Sequence, residues 1–344
     1  MKTSSPNDIS SKLPIAVSIG EPAGVGPDII LQLYADRSKL DLPAFVVFGD
    51  VGFLKARAKR IGLDLEVNAI TSVEQAKHSF DMALPVIEIA SGTKDEPGFL
   101  NPDNAALTIA SIEHAVASVA TGSVRAIVTA PIHKSNLYKA GFEHPGHTEF
   151  LASLCKVDGL TPRPVMMLAH GDKRAIPVTI HIALKDVFDK LTPGRIVQTV
   201  RIAETDLKSR FGIEKPRIGV TGLNPHAGED GAMGTEEIQT ITPAIKQLKD
   251  DFGIAVDGPL PADTAFAPHI WAGYDVIIAM YHDQALIPVK TIGFDAGVNI
   301  TLGLPIVRTS PDHGTALGLA GTGTASSTSM HQAIVLADKM SHKK

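Results

Sequence analysis

Three short apolar runs in this chain stop at, or just before, a histidine. Residues 175–180 (AIPVTI) precede His181, residues 218–222 (IGVTG) run through LNP into His226, and residues 275–281 (DVIIAMY) precede His282-Asp283-Gln284. Runs of this length, rich in β-branched residues, read as buried strands, and each ends by presenting polar side chains. In an open α/β sheet the ligand lies at the carboxyl ends of the strands, so the pattern predicts a layered α/β fold with its chemistry at those ends. No local spacing motif links the three histidines, and a single histidine at a strand end is ordinarily a hydrogen-bonding residue. Three at equivalent positions make a shared metal site a stronger reading, because three neutral imidazoles leave a divalent ion with an open position, as catalysis requires.

The rest of the chain agrees with α/β layering. A strand at 14–19 turns through GEPAGVG (20–26) into a helix near Pro27, a proline suited to a first helical turn, with Asp28 at the positive end of the dipole. This corner reads as a ligand site whose amides an anion would use, against the plainer reading of a tight turn with structural glycines. It lacks the G-x-G-x-x-G dinucleotide pattern, which occurs nowhere here with a strand and a helix on either side. Strands are expected at 45–48, 85–89 and 126–129, a basic helix over 51–61, and an amphipathic helix over 104–120 with Asn101 or Asp103 available as its cap. Lys134 follows a strand end and is either a phosphate ligand or a solvated lysine at a helix start. His147-Thr148 open a helix after a Pro-Gly turn, where Thr148 caps the helix or holds a ligand oxygen. Strands 165–168 and 175–180, joined around Gly171-Asp172, form a hairpin signal. A helix is expected over 193–211, an acidic flexible loop over 228–234 and a C-terminal helix over 326–340. Asp263 stands before a helix in a rigid PLPADT stretch.

At 344 residues the chain is long enough for two domains. The first lobe is expected from residues 1–134 plus 307–344 and the second from 135–306. A hydrophobic fraction of 44% with 20% charged residues is that of a globular protein. The net charge of −5, with Lys and Arg scattered, gives no basic patch for nucleic acid and no attraction to acidic lipid. The one cysteine, Cys155, excludes an internal disulfide framework. The first dozen residues lack the apolar core of a signal peptide and no run reaches membrane length, so they read as a frayed tail of a cytoplasmic protein. Lys290, Asn299 and Arg308, each near an apolar segment, need a polar or anionic partner if they turn inward, which a small phosphorylated or carboxylated molecule supplies.

The segments GEPAGVGPD (20–28), PGHTEF (145–150), TIHIALK (179–185), LNPHAGEDGAMGTEE (223–237), GPLPADT (258–264), AMYHDQ (279–284) and GVNITLGLPIVRTSPDHGTA (297–316) closely resemble the 4-hydroxythreonine-4-phosphate dehydrogenase family of pyridoxal phosphate biosynthesis, in the family's order and over nearly the whole chain beyond the tail. The resemblance implies a two-lobed fold like isocitrate and isopropylmalate dehydrogenases, with the active site in the interlobe cleft. It implies one divalent cation (zinc, magnesium or cobalt) bound by His181, His226 and His282 at a homodimer interface, with ligands drawn from both subunits; a division between His181 and His282 is the arrangement to test. It assigns the phosphorylated substrate to His147, Thr148, Lys290, Asn299 and Arg308. The implied reaction is NAD- or NADP-dependent oxidation of 4-phosphohydroxy-L-threonine to a β-keto acid, which decarboxylates to 3-amino-2-oxopropyl phosphate. Asp263 or Lys290 would take the hydroxyl proton. The wider group carries a cofactor loop similar to His313-Gly314-Thr315-Ala316 and Ala320-Gly321-Thr322-Gly323, which explains a nicotinamide enzyme without the Rossmann pattern. Alternatives are a dehydrogenase of phosphorylated threonate or erythronate, a cis-dihydrodiol dehydrogenase, a phosphate or acyl transferase on the same fold, and a phosphometabolite sensor. The phosphate-binding set argues against the dihydrodiol, and three histidines together with the HGTA loop favour oxidation over transfer or sensing.

Overall fold

A computed structural model describes residues 13–342; the expected frayed tail lies outside the described residues. The chain divides into two compact units. The first ends at Pro164 and resumes at Leu304–His342, and the second is Val165–Gly303. Residues 135–164 therefore belong with the first unit and do not open the second. The reason is packing: Phe150, Leu151, Ala152 and Cys155 are buried in one core with Ile112, Ala115, Val116 and Phe48.

In the first unit six strands take the order β3-β4-β2-β1-β5-β12, where β1 is Ile15–Ser18, β2 Phe45–Gly49, β3 Val67–Ile70, β4 Leu84–Glu88, β5 Ile127–Thr129 and β12 Arg308–Pro311. All neighbouring pairs are parallel. β1, β2 and β5 are buried along their whole length, as parallel strands covered on both faces require. The helices α1 (Gly26–Ala35), α2 (Val51–Arg60), α3 (Ala105–Ala120), α4 (Lys134–Lys139) and α5 (His147–Leu154) follow in chain order. Asp50 caps α2 by accepting from Phe53 N at 2.9 Å. Asn101 accepts from Asp103 N at 3.0 Å ahead of α3.

In the second unit the order is β11-β6-β7-β10-β8-β9, with β6 Val165–His170, β7 Lys173–Pro177, β8 Ile218–Thr221, β9 Val256–Leu260, β10 Val276–Ala279 and β11 Val298–Leu302. β6 and β7 form the expected antiparallel hairpin, while β7, β10, β8 and β9 are parallel. Its helices include α6 (Pro193–Ser209), α7 (Thr242–Phe252), α8 (Ala262–Ala265) and α9 (His282–Gly293). Thr192 caps α6, and Gly253 at φ 64° ends α7 in the left-handed conformation that glycine adopts at least cost. The last helix, α10 (Thr328–Ser341), belongs to the first unit, where it packs on β12, β5 and β1. Among the described residues no helix is long and apolar enough to cross a membrane.

Candidate active site

The three histidine-bearing strand ends are neighbours: β10 lies between β7 and β8, and all three run the same way. Hydrogen bonds fasten the exits together beyond the ladder. Val178 N donates to Ala279 O at 2.8 Å, and the Thr179 hydroxyl donates to Met280 O at 2.8 Å. Gln284 bridges to β8, accepting from Met280 N (2.7 Å) and the Thr221 hydroxyl (2.9 Å) and donating to Gly222 O (2.9 Å). The result is that His181 and His282 face each other with ring centroids 5.6 Å apart. Both line a cavity of about 290 Å³ together with Thr179, Tyr281 and Asp283. His282 Nδ1 lies 2.7 Å from Asp283 Oδ1; with Nδ1 as the donor, the Nε2 lone pair is left for a metal, the usual arrangement around a ligating imidazole.

Among the described residues, no three His, Cys, Asp or Glu side chains are placed to hold a metal ion. The 228–234 stretch expected as a flexible loop begins inside a tight left-handed turn: His226, Ala227, Gly228, Glu229 and Asp230 all have φ between 42° and 83°. A non-glycine residue in that region costs roughly 1–2 kcal/mol, so such a run persists only where its surroundings impose it. Glu237, 3% exposed, is the clamp. Its carboxylate accepts from Leu223 N and Asn224 N, both at 2.8 Å, and from Asn224 Nδ2 at 2.9 Å. Burial alone would raise the Glu237 carboxyl, but the bonds from Asn224 and Leu223 outweigh it and hold the group below its ordinary value. His181 is also left-handed, at φ 48°.

A second locus lies in the first unit. Gly146 is the N-cap residue of α5, with no side-chain cap bond, so the capping role considered for Thr148 falls away. His147 opens the helix with its Nε2 inaccessible and, among the described residues, without a hydrogen-bond partner. Burial first, then the positive charges of Arg308 and Lys134, hold this imidazole well below its usual value, so it is neutral near pH 7. Arg308, 4% exposed, donates to the Thr129 hydroxyl from Nε (3.2 Å) and Nη2 (2.7 Å). Burial pushes its guanidinium down to about 9. An anion bound here relieves the desolvation of Arg308 and meets the amide-rich start of α5. His147, Arg308 and Lys134 are thus brought together.

Lys290 and Asn299 belong to the second unit. Lys290 sits in the last turn of α9, with Nζ 5.7 Å from the Phe294 ring centre, and Asn299 is half-buried in β11 opposite Leu168. Asp263 is exposed at the start of α8, its carboxylate accepting from Thr264 N at 3.0 Å. None of these three lines the cavity between His181 and His282. The proposed cofactor loop is a separate surface: His313, Gly314, Ala316, Gly318 and Leu319 are exposed, Thr315 and Ala320 are buried, and residues 313–323 contain no carboxylate. Bare main chain, an imidazole and one leucine suit a flat ring and a pyrophosphate without charge repulsion.

Sequence reasoning missed Glu237 and Thr129, and named Gln284 only as one of the polar residues after a strand. Each acts on main chain or on another side chain, and none has the conspicuous chemistry of a histidine.

Imidazoles at adjacent strand ends and a buried cationic locus that suits an anion, carried on an α/β fold, fit an enzyme of small-molecule metabolism. The model of the PdxA family, described as pyridoxal phosphate biosynthetic protein PdxA, matches residues 41–337. A 4-hydroxythreonine-4-phosphate dehydrogenase of Bradyrhizobium diazoefficiens is 50% identical over 339 residues, covering 96% of this chain and 98% of its own. Crystal structures of proteins with that name superpose closely. The one from Burkholderia phymatum has a TM-score of 0.83 at 36% identity, covering 96% of this chain and 99% of its own. The one from Klebsiella pneumoniae has a TM-score of 0.83 at 38% identity, covering 94% and 98%. The chain belongs to the PdxA family of pyridoxal phosphate biosynthetic proteins.

Proposed function

We propose that this protein is the cytoplasmic, metal-dependent NAD(P) dehydrogenase that oxidises 4-phosphohydroxy-L-threonine in pyridoxine 5'-phosphate biosynthesis. Family membership over nearly the full chain is the observation that carries the reading. The anion locus supports it independently, because His147, Arg308 and Lys134 suit the phosphate ester. His181 and His282, with His226 as the third imidazole, would hold one zinc, magnesium or cobalt ion. A second copy of the chain is our candidate source of the remaining ligand, because among the described residues of one copy no three such side chains are placed to hold a metal ion.

When bound, the divalent ion would supply Lewis acidity to the alcohol and the nicotinamide a two-electron acceptor. The chain's own residues do the rest. Arg308, Lys134 and His147 hold the phosphate; Thr148, Lys290 and Asn299 position the remainder of the substrate. Asp263 and Lys290 are the two groups proposed for the hydroxyl proton. His313, Gly314, Thr315, Ala320 and Gly321 receive the dinucleotide. The oxidised product is a β-keto acid, whose loss of CO₂ the same cationic surroundings favour.

The test is NAD(P) reduction after metal addition, with 4-phosphohydroxy-threonine compared against phosphorylated threonate. Turnover of the amino acid ester in preference to the threonate is expected. Turnover of the threonate alone would assign the chain to a different dehydrogenase on this fold.

A further inference from the structure

The glycine turn at 20–26 reads from sequence as an anion site, but four of its amides are already used. Glu21 N donates to Pro131 O, Gly24 N to Glu21 O and Val25 N to Thr315 O, each at 2.9 Å, and Ala23 N donates to the Glu21 carboxylate at 3.2 Å. A Cβ on Gly24 would lie 2.9 Å from Thr315 O, so the turn rests directly on the HGTA segment. Two further contacts continue along α1. The Asp28 carboxylate accepts from Gly321 N at 2.7 Å, and Gln32 Nε2 donates to Gly323 O at 2.8 Å. Positions 25, 28 and 32 fall on one helical face. That face touches the loop at residues 315, 321 and 323, in the same direction along both.

Arg57 of α2 locks this rail from behind. Its side chain is wholly buried. Nη1 donates to Asp28 Oδ1 (2.5 Å) and Gly24 O (3.1 Å), Nη2 to Pro22 O (2.7 Å) and Nε to Asp95 (2.6 Å). The planar fork of a guanidinium satisfies two carboxylates and two carbonyls at once, which a lysine ammonium cannot do in this geometry. Asp28 is thereby fixed between a cation and a loop amide, with one oxygen for each.

We propose that Arg57 and Asp28 are positioning residues for the dinucleotide: through the 25/28/32 face of α1 they set the main-chain path of residues 315–323 before the cofactor arrives. The proposal rests on the dehydrogenase reading for the identity of the ligand, but not for the rail itself. A preset loop binds its ligand without the entropy loss of ordering it.

Arg57→Lys and Asp28→Asn keep size and most of the local polarity while removing the fork or the charge. Two measurements follow. In the ligand-free protein, hydrogen exchange of the 313–323 peptide should accelerate at least about tenfold as the loop loosens. Titration with NADH and NADPH should weaken by about tenfold or more, with the KM for the phosphorylated substrate unchanged and kcat within a few-fold. A purely structural role lowers the active fraction without splitting the two KM values. Variants that are folded by circular dichroism yet show wild-type exchange and wild-type NAD(P)H affinity overturn the proposal. Should neither variant fold, Gln32→Ala removes only the half-buried contact to Gly323 and must show the same two effects, reduced to about threefold; their absence is equally decisive. A wild-type protein that binds neither NADH nor NADPH sinks the dehydrogenase reading, while the exchange contrast still judges the rail.

Discussion

Arg308 concentrates the substrate question in one side chain. It is buried, braced by the Thr129 hydroxyl, and near enough to His147 to depress that imidazole. Arg308→Ala should weaken binding of the phosphorylated substrate by about 2–4 kcal/mol, roughly 30-fold to 1000-fold, while metal content stays near wild type. Calorimetric titration reads this directly, and an unchanged affinity would move the phosphate elsewhere. His147 makes a second residue-scale prediction, in pH. Its folded value lies well below the ordinary 6.5, chiefly through burial, so between the two values the unfolded chain binds more protons. Stability contributed at this site is therefore lost as pH falls below about 6.5 and regained as pH rises. His147→Gln should flatten the dependence of urea stability between about pH 5 and 7; an identical slope in both proteins would show that His147 does not carry it.

At the scale of elements, Asp50 ties the start of α2 to the chain after β4. One oxygen caps the helix, and the other accepts from Ser91 N, the Ser91 hydroxyl and Gly92 N. Asp50→Ala should cost about 2 kcal/mol, seen as a lower urea midpoint with unchanged slope. No loss would mean that water replaces these bonds. Helix α2 also shows where reading a sequence succeeds and stops. Its span was legible as that of a basic helix, but the place of its arginines was not; Arg57, identical in type to the exposed Arg60, is buried because two carboxylates and two carbonyls meet there. Long-range partners of this kind leave no local signature. β1, β2 and β10 were legible because burial on both faces demands continuous apolar runs. β3, Val67–Ile70, was not, because Asn68 and Ala69 face outward and interrupt the run. The histidines were visible as strand-end residues. The left-handed turn at 226–230 was hidden, since only one of its five residues is the glycine that such backbone normally signals.

At the scale of the whole molecule, the metal site proposed above is shared between two copies of the chain. His181 and His282 have ring centroids 5.6 Å apart in a single copy, so complementation is best read with a pair that includes His226. The informative pair is His226 with His282. Each of His226→Ala and His282→Ala alone should lose both bound metal and turnover, since two imidazoles hold a divalent ion less firmly than three. The decisive measurement mixes the two inactive proteins under conditions of demonstrated subunit exchange. Each heterodimer then carries one intact triad, and an equal mixture should recover about a quarter of wild-type activity. A mixture with verified heterodimers and no recovered activity would contradict a metal-dependent dehydrogenase whose site is shared between two chains.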